Sequence, residues 1–354
     1  MSIYYDNLFL IIIYAIIYNV ISKRTKDKKR LIKRFCILIS IQLILILGLR
    51  EITIGTDLVN YIPFYEKCIK FKELVFLSSR FEVGYILLNI VIGGISGNSY
   101  VFLFIVAAIS LIPIGYIVYK YSKKPFLSFI IYLAFDFYSF LFSGLRQGIA
   151  FGITFFSYKY IRERKPIKFI ICIVIASLFH KSAIIFLPAY WLAKIKMSKK
   201  SIIIFVATFI ITFLFRSQIM GIFIKLFSED YSIVKTNSFT YLFCAIITLV
   251  FGIVFYKQMI KNNKYSSQYF IFIMMSVIFL IFTSVGTNML RISNYYYLFI
   301  ILFLPEVLDS IEDKKTELLI EYIMFIALII VFNIYTNQNA FNQSPYICVL
   351  DTFK

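Results

Sequence analysis

The sequence predicts an all-α fold: a polytopic transmembrane helical bundle of about 12 spans. Three observations predict it. The chain is 61% hydrophobic and 16% charged, with a mean hydropathy of +0.85. A soluble chain of 354 residues has too little interior to bury that much apolar surface. Runs such as Leu8–Ile21, Leu31–Leu49, Tyr100–Tyr119 and Phe239–Tyr256 approach the roughly 20 residues that cross a hydrocarbon core, and they lack strand alternation. Finally, 24 of the 37 Lys and Arg residues fall in six clusters between such runs, at 23–34, 120–124, 162–168, 194–200, 257–264 and 314–315.

The expected spans are 8–22, 31–49, 100–119, 126–142, 147–161, 167–180, 182–193, 201–215, 239–256, 268–284, 292–309 and 317–335. The first run follows Asp6 instead of a basic segment, so it reads as a retained span and not as a cleavable signal. Loops rich in Lys and Arg stay cytoplasmic, so the cluster 23–34 places the amino terminus outside. The later clusters also fall inside if Glu82–Ile95 enters from the outside without crossing. That segment has fourteen residues, too few for a span, and the helix breakers of Gly93-Gly94-Ile95-Ser96-Gly97-Asn98 follow it. A re-entrant segment near 82–98 is therefore expected; the alternative is that 82–95 spans and one later short segment does not. Residues 50–81 mix aromatic, apolar and charged positions as an interfacial amphipathic helix does, and 216–238 does so more weakly. The whole chain, 1–354, reads as one integral membrane domain with outer loops 50–81 and 216–238 and an extracytoplasmic tail 336–354.

The net charge of +19 would point to nucleic acid in a soluble protein; here orientation and contact with anionic lipid account for it, and no nucleic acid is expected. The five cysteines have no CxxC spacing, and no HExxH or Cys/His cluster exists, so no metal site is expected. No phosphate loop, GxSxG elbow or DxD pair is present, which removes support for ATP-driven transport, serine hydrolysis and metal-bound sugar nucleotides. No cofactor is implied.

The chosen topology brings Arg50, Asp57, Arg146, His180, Arg216 and Arg291 to the outer face. An arginine at the hydrocarbon edge needs a partner or water, which makes each a candidate. Arg146-Gln147 presents paired donors suited to phosphate oxygens, or it anchors a span at the interface. Asp57, after Gly55-Thr56, either caps the next helix or orients Arg50. His180 is the one histidine of the chain; it reads as a general base or as a helix-start residue bonded to a carbonyl. Glu82 opens the re-entrant segment and is a partner for an arginine. Such a basic outer site suits an anionic, lipid-anchored substrate that carries its own reaction energy.

Leu49-Arg50, Gly55-Thr56-Asp57 and Asn60-Tyr61, then Glu82-Val83-Gly84-Tyr85, then Arg146-Gln147-Gly148-Ile149-Ala150, then Phe179-His180-Lys181-Ser182-Ala183 resemble the EpsG-like family of bacterial exopolysaccharide polymerases, which have a Wzy-type role. The blocks cover about 50–190. The resemblance implies a multi-pass cell-membrane glycosyltransferase with both termini extracytoplasmic. It would polymerise undecaprenyl-diphosphate-linked repeat units of exopolysaccharide or capsule on the outer leaflet and release the diphosphate carrier. Arg50, Arg146, Gln147 and Arg291 would bind the diphosphate, and His180, with Asp57 or Glu82 behind it, would take the acceptor proton. Expected partners are the lipid-linked oligosaccharide, membrane lipid, and the chain-length regulator and flippase of the same pathway. Competing readings are a flippase for lipid-linked oligosaccharide, which would show pseudo-symmetric halves, and a membrane O-acyltransferase, which would need a cytoplasmic acyl-donor site.

Overall fold

The computed structural model describes residues 2–71, 80–227, 240–286 and 288–350. They are helical, and the one β-type pairing among them is an isolated bridge between Arg50 and Cys348. The chain divides into two compact units, 1–184 with 321–354, and 185–320.

In the first unit α1 (Ser2–Ser22) and α2 (Lys28–Gly48) flank the largest basic cluster, where Asp27 caps α2 by accepting the Arg30 N–H. After α2 come α3 (Leu58–Lys70), α4 (Val83–Ile95) and α5 (Ser99–Tyr121). Helices α2 and α5 pack antiparallel and close: Gly48 lies against Phe104 and Gly115 against Ser40. Residues 49–98 therefore leave and rejoin the bundle at one end. Helix α4 is 13 residues long, about 20 Å at 1.5 Å per residue, against roughly 30 Å of hydrocarbon. It continues through Gly93 and Gly94 and stops at Ser96.

Helix α6 (Pro125–Ala134) starts on a proline and ends at Asp136, whose φ of 63° is left-handed. Only a four-residue turn, Phe137–Phe140, follows before α7 (Leu145–Arg162). Helix α8 (Pro166–Ser177) has 12 residues, and a 3₁₀ turn, Lys181–Phe186, takes up the chain beyond it. Lys120 lies 3.6 Å from Glu163, and Lys124 pairs with Glu321, so the clusters at 120–124 and 162–168 share one end of this unit. The turns 50–57 and 142–146 sit at the other end.

The second unit holds α9 (Lys199–Leu214), bent by 78° into α10 (Arg216–Phe227), and α11 (Thr240–Val254), bent by 71° into α12 (Tyr256–Asn262). Its densest packing is around α13 (Ser266–Ile281), α14 (Asn288–Tyr297) and α15 (Ile300–Asp309). The last helix, α16 (Lys314–Gln338), begins here and is counted with the first unit from Glu321 on.

Six helices are long and apolar enough to cross a membrane, or up to eight if each bent pair is one span. By that measure of length and composition the described residues give fewer crossings than the expected 12, and apolar helices of 10–17 residues stand outside the count. The expected spans 126–142, 167–180 and 182–193 are apolar, but they are short helices broken by Asp136 or replaced by a 3₁₀ turn. Of the expected interfacial helices, α3 buries Leu58, Tyr61, Ile62, Tyr65 and Cys68 and exposes Val59, as an amphipathic element does; residues 72–79 lie outside the described residues. In 216–238 only α10 is described, and 228–238 lie outside. All five cysteines are free thiols.

Candidate active site

The site begins with a glycine. The Gly84 N–H donates to the Leu178 carbonyl at 2.8 Å, and a Cβ at position 84 would stand 2.7 Å from that oxygen. Only a residue without a side chain lets the start of α4 close onto the end of α8. The contact sets Glu82, just ahead of α4, beside His180, just past α8. Glu82 is extended (φ −68°, ψ 145°) and makes no cap hydrogen bond with its side chain, which leaves the carboxylate for other partners.

Those partners come from three places. Arg146, in the first turn of α7, donates from Nη1 to Glu82 Oε2. His180 Nδ1 lies 3.4 Å from Glu82 Oε1, within ion-pair range though short of an aligned hydrogen bond. The Lys181 backbone N–H donates to the same oxygen at 3.3 Å. Burial alone would raise the Glu82 pKa, but His180 and the Arg146 charge bring it down to about 2. Glu82 is therefore an anion at neutral pH, and an anion this weakly basic orients its neighbours better than it accepts a proton.

Arg146 is held from a second side. Its Nε donates to the Tyr61 hydroxyl at 3.4 Å, and its guanidinium lies 4.6 Å from the Phe81 ring centroid and 5.8 Å from that of Tyr61. The Glu82 side chain is 9% exposed, whereas Arg146 and His180 keep 21% and 26%. The carboxylate is thus the hidden centre of the cluster, and the arginine and imidazole are its accessible edges.

Arg50 is placed differently. It is fully buried and has no carboxylate partner among the described residues. Its Nε donates to Ile54 O and its Nη2 to Phe142 O, both at 3.1 Å, and its Nη1 donates to Leu47 O. The guanidinium also lies 5.1 Å from the Phe142 ring. Desolvation lowers its pKa to about 10, against a smaller opposing effect of nearby tyrosines, so it stays charged at neutral pH. Gly55, with φ of 118°, permits this staple: a Cβ there would overlap Phe142 O at 2.0 Å. Ser143 Oγ accepts from the Thr56 N–H and hydroxyl at 2.8 Å each and donates to Phe341 O at 3.1 Å. The tail closes over the same turn through Val349 N–H to Leu49 O at 2.8 Å and Glu51 N–H to Ile347 O at 2.9 Å.

The remaining candidates are scattered. The Asp57 side chain makes no cap hydrogen bond; its carbonyl starts α3, one turn before Tyr61. Gln147 is buried in α7, 3% exposed, and does not open outward with Arg146. Arg291 is half-buried on α14 in the second unit. Among the described residues no group of three or more His, Cys, Asp or Glu is arranged to hold a metal ion. Phe81 and Ser143 carry no local signal in the sequence, as a lone phenylalanine or serine beside a turn does not, and the tail is expected at the outer face without its contacts to the 49–51 turn. Tyr61 and Gly84 lie in the family-like stretches 60–61 and 82–85, and their roles come from contacts with Arg146 and Leu178, distant in sequence.

Comparison with curated proteins and with solved structures gives no match. The model of the EpsG family matches residues 33–348, nearly the whole chain and well beyond the four blocks. Arg146, Glu82 and His180 all lie in the matched range, and the chain belongs to the EpsG family, an exopolysaccharide-polymerase-like family of membrane proteins.

Proposed function

We propose that the protein joins undecaprenyl-diphosphate-linked oligosaccharide units on the outer leaflet, at the Arg146–Glu82–His180 cluster. The observation that carries this reading is that cluster: a guanidinium hydrogen-bonded to the Glu82 carboxylate and an imidazole 3.4 Å from it, both with accessible edges. Its setting agrees. The cluster stands at the end of its unit opposite Lys120, Lys124 and Arg162, the end that the distribution of basic residues assigns to the outside. The short α4 then dips in and leaves without crossing.

In the proposed reaction the acceptor hydroxyl oxygen attacks the anomeric carbon of the donor sugar. The bond from that carbon to the diphosphate oxygen breaks, and the diphosphate carrier leaves with the electron pair. Arg146 stabilises the charge growing on the leaving group, an electrostatic role worth the most where water is excluded. His180 turns Nδ1 to Glu82, so Nε2 is the nitrogen that takes the acceptor proton. Glu82 fixes both residues. Arg50 acts from behind as a positioning residue, holding the 50–57 and 142–146 turns together. Gln147, Asp57 and Arg291 have no step in this scheme.

The test is reconstitution of the purified chain in lipid with a lipid-linked repeat unit. A ladder of products lengthening by one unit at a time is expected. Movement of label between leaflets without a ladder would instead identify a flippase.

A further inference from the structure

We propose that the groove between α2 and α5 binds an acyl chain of an anionic phospholipid, with the headgroup at its Lys33 end. The groove measures about 480 Å³ and is lined by Ile37, Ile41, Ile44 and Ile112, with Tyr116 along one wall and Lys33 at one end. Gly115 forms part of its wall: with no side chain there, Ser40 of α2 approaches the bare backbone of α5.

Depth and charge identify the occupant. From Lys33 to Ile44 the groove follows α2 for 11 residues, about 16 Å at 1.5 Å per residue. That is roughly half the hydrocarbon thickness, the depth of one leaflet. Four isoleucines make most of the wall, with Cys36, Ser40, Gly115, Tyr116 and Tyr119 among them, and Lys33 is the one cation of the lining, at the end nearest the basic cluster 23–34. Lys120 donates to the Tyr116 hydroxyl at 3.3 Å, and both Lys120 and Lys159 lie within 6 Å of the Tyr116 ring centroid. Glu163, 3.6 Å from Lys120, neutralises part of this charge; Lys33 makes no ion pair with a described residue. A chain-length slot with its cation at one end fits a lipid of net negative charge, and it fits a zwitterionic one, whose own cation offsets the phosphate, less well. The site lies at the end of the unit opposite Arg146 and is independent of the glycosyl-transfer reading.

The test is native mass spectrometry of the full chain released from bilayers of equal phosphatidylglycerol and phosphatidylcholine. The native chain should retain phosphatidylglycerol preferentially. The pair Lys33→Gln and Lys120→Gln should lower that preference by about tenfold or more. Ile41→Trp fills the groove from an exposed position and should displace the retained lipid without altering the fold. Lys199→Gln with Lys200→Gln, an equal charge loss elsewhere, should change nothing. Equal retention of both lipids by the native chain overturns the proposal. So does unchanged retention in Ile41→Trp, or an equal loss in the Lys199/Lys200 pair.

Discussion

Two arginines follow helix boundaries at the same end of one unit, and they live in opposite surroundings. Arg146 meets a carboxylate, a phenol and an aromatic face and keeps an accessible edge. Arg50 meets backbone carbonyls on three sides and has none. The difference lies in what each partner leaves free. Carbonyls accept from each of the three guanidinium nitrogens of Arg50 and the surrounding protein closes off its other N–H groups, so Arg50 holds turns together. Glu82 and Tyr61 engage part of the Arg146 fork, and the rest stays accessible to a ligand.

That comparison can be broken most strongly at its catalytic side. His180→Ala should slow polymer formation by about 10²–10⁴-fold while the protein still reaches the membrane, since loss of a general base has that scale. A product ladder at native rate from this variant would remove His180 from the chemistry. At the structural side, Arg50→Met should lower stability by roughly 1–3 kcal/mol, the scale of leaving buried acceptors unsatisfied, because the Ile54, Leu47 and Phe142 carbonyls lose their donor. Thermal unfolding in detergent measures this, and an unchanged midpoint would show that the staple carries no stability.

Gly84→Ala brings a Cβ within 2.7 Å of the Leu178 oxygen, so α4 must shift away from α8. A misplacement of that size should reduce turnover by about tenfold or more with a smaller loss of stability. The mildest effect concerns pH. The folded Glu82 pKa of about 2 lies below its ordinary 4.5, so its stabilisation is complete above 4.5 and is lost as pH falls from there towards 2. Glu82→Gln should flatten the stability profile in that window, and an unaltered slope would assign the acid sensitivity to other groups.

The helical class and the weight of hydropathy were legible because apolar runs in helical register leave no other solution in lipid. The number of spans was not. Hydropathy reports how apolar a run is, and α6, buried in protein, is as apolar as a lipid-facing helix. What separates them is helix continuity, which Asp136 ends with a left-handed backbone that no periodicity announces. The site shows the same split. Glu82, Arg146 and His180 stood out as chemistry-bearing residues, but their convergence depends on the Gly84–Leu178 contact between residues far apart in sequence. Arg50 looked equivalent to Arg146, because a sequence does not say whether a guanidinium at a helix end turns towards carbonyls or towards the surface.

The most direct measurement compares product ladders from native, Arg146→Ala and Arg50→Met proteins, reconstituted at equal amounts of folded chain. The account predicts a ladder shortened or slowed by about 10²–10³-fold for Arg146→Ala and a near-native ladder per folded molecule for Arg50→Met. A native ladder from Arg146→Ala, or none from fully folded Arg50→Met, would contradict the division of labour between the two arginines.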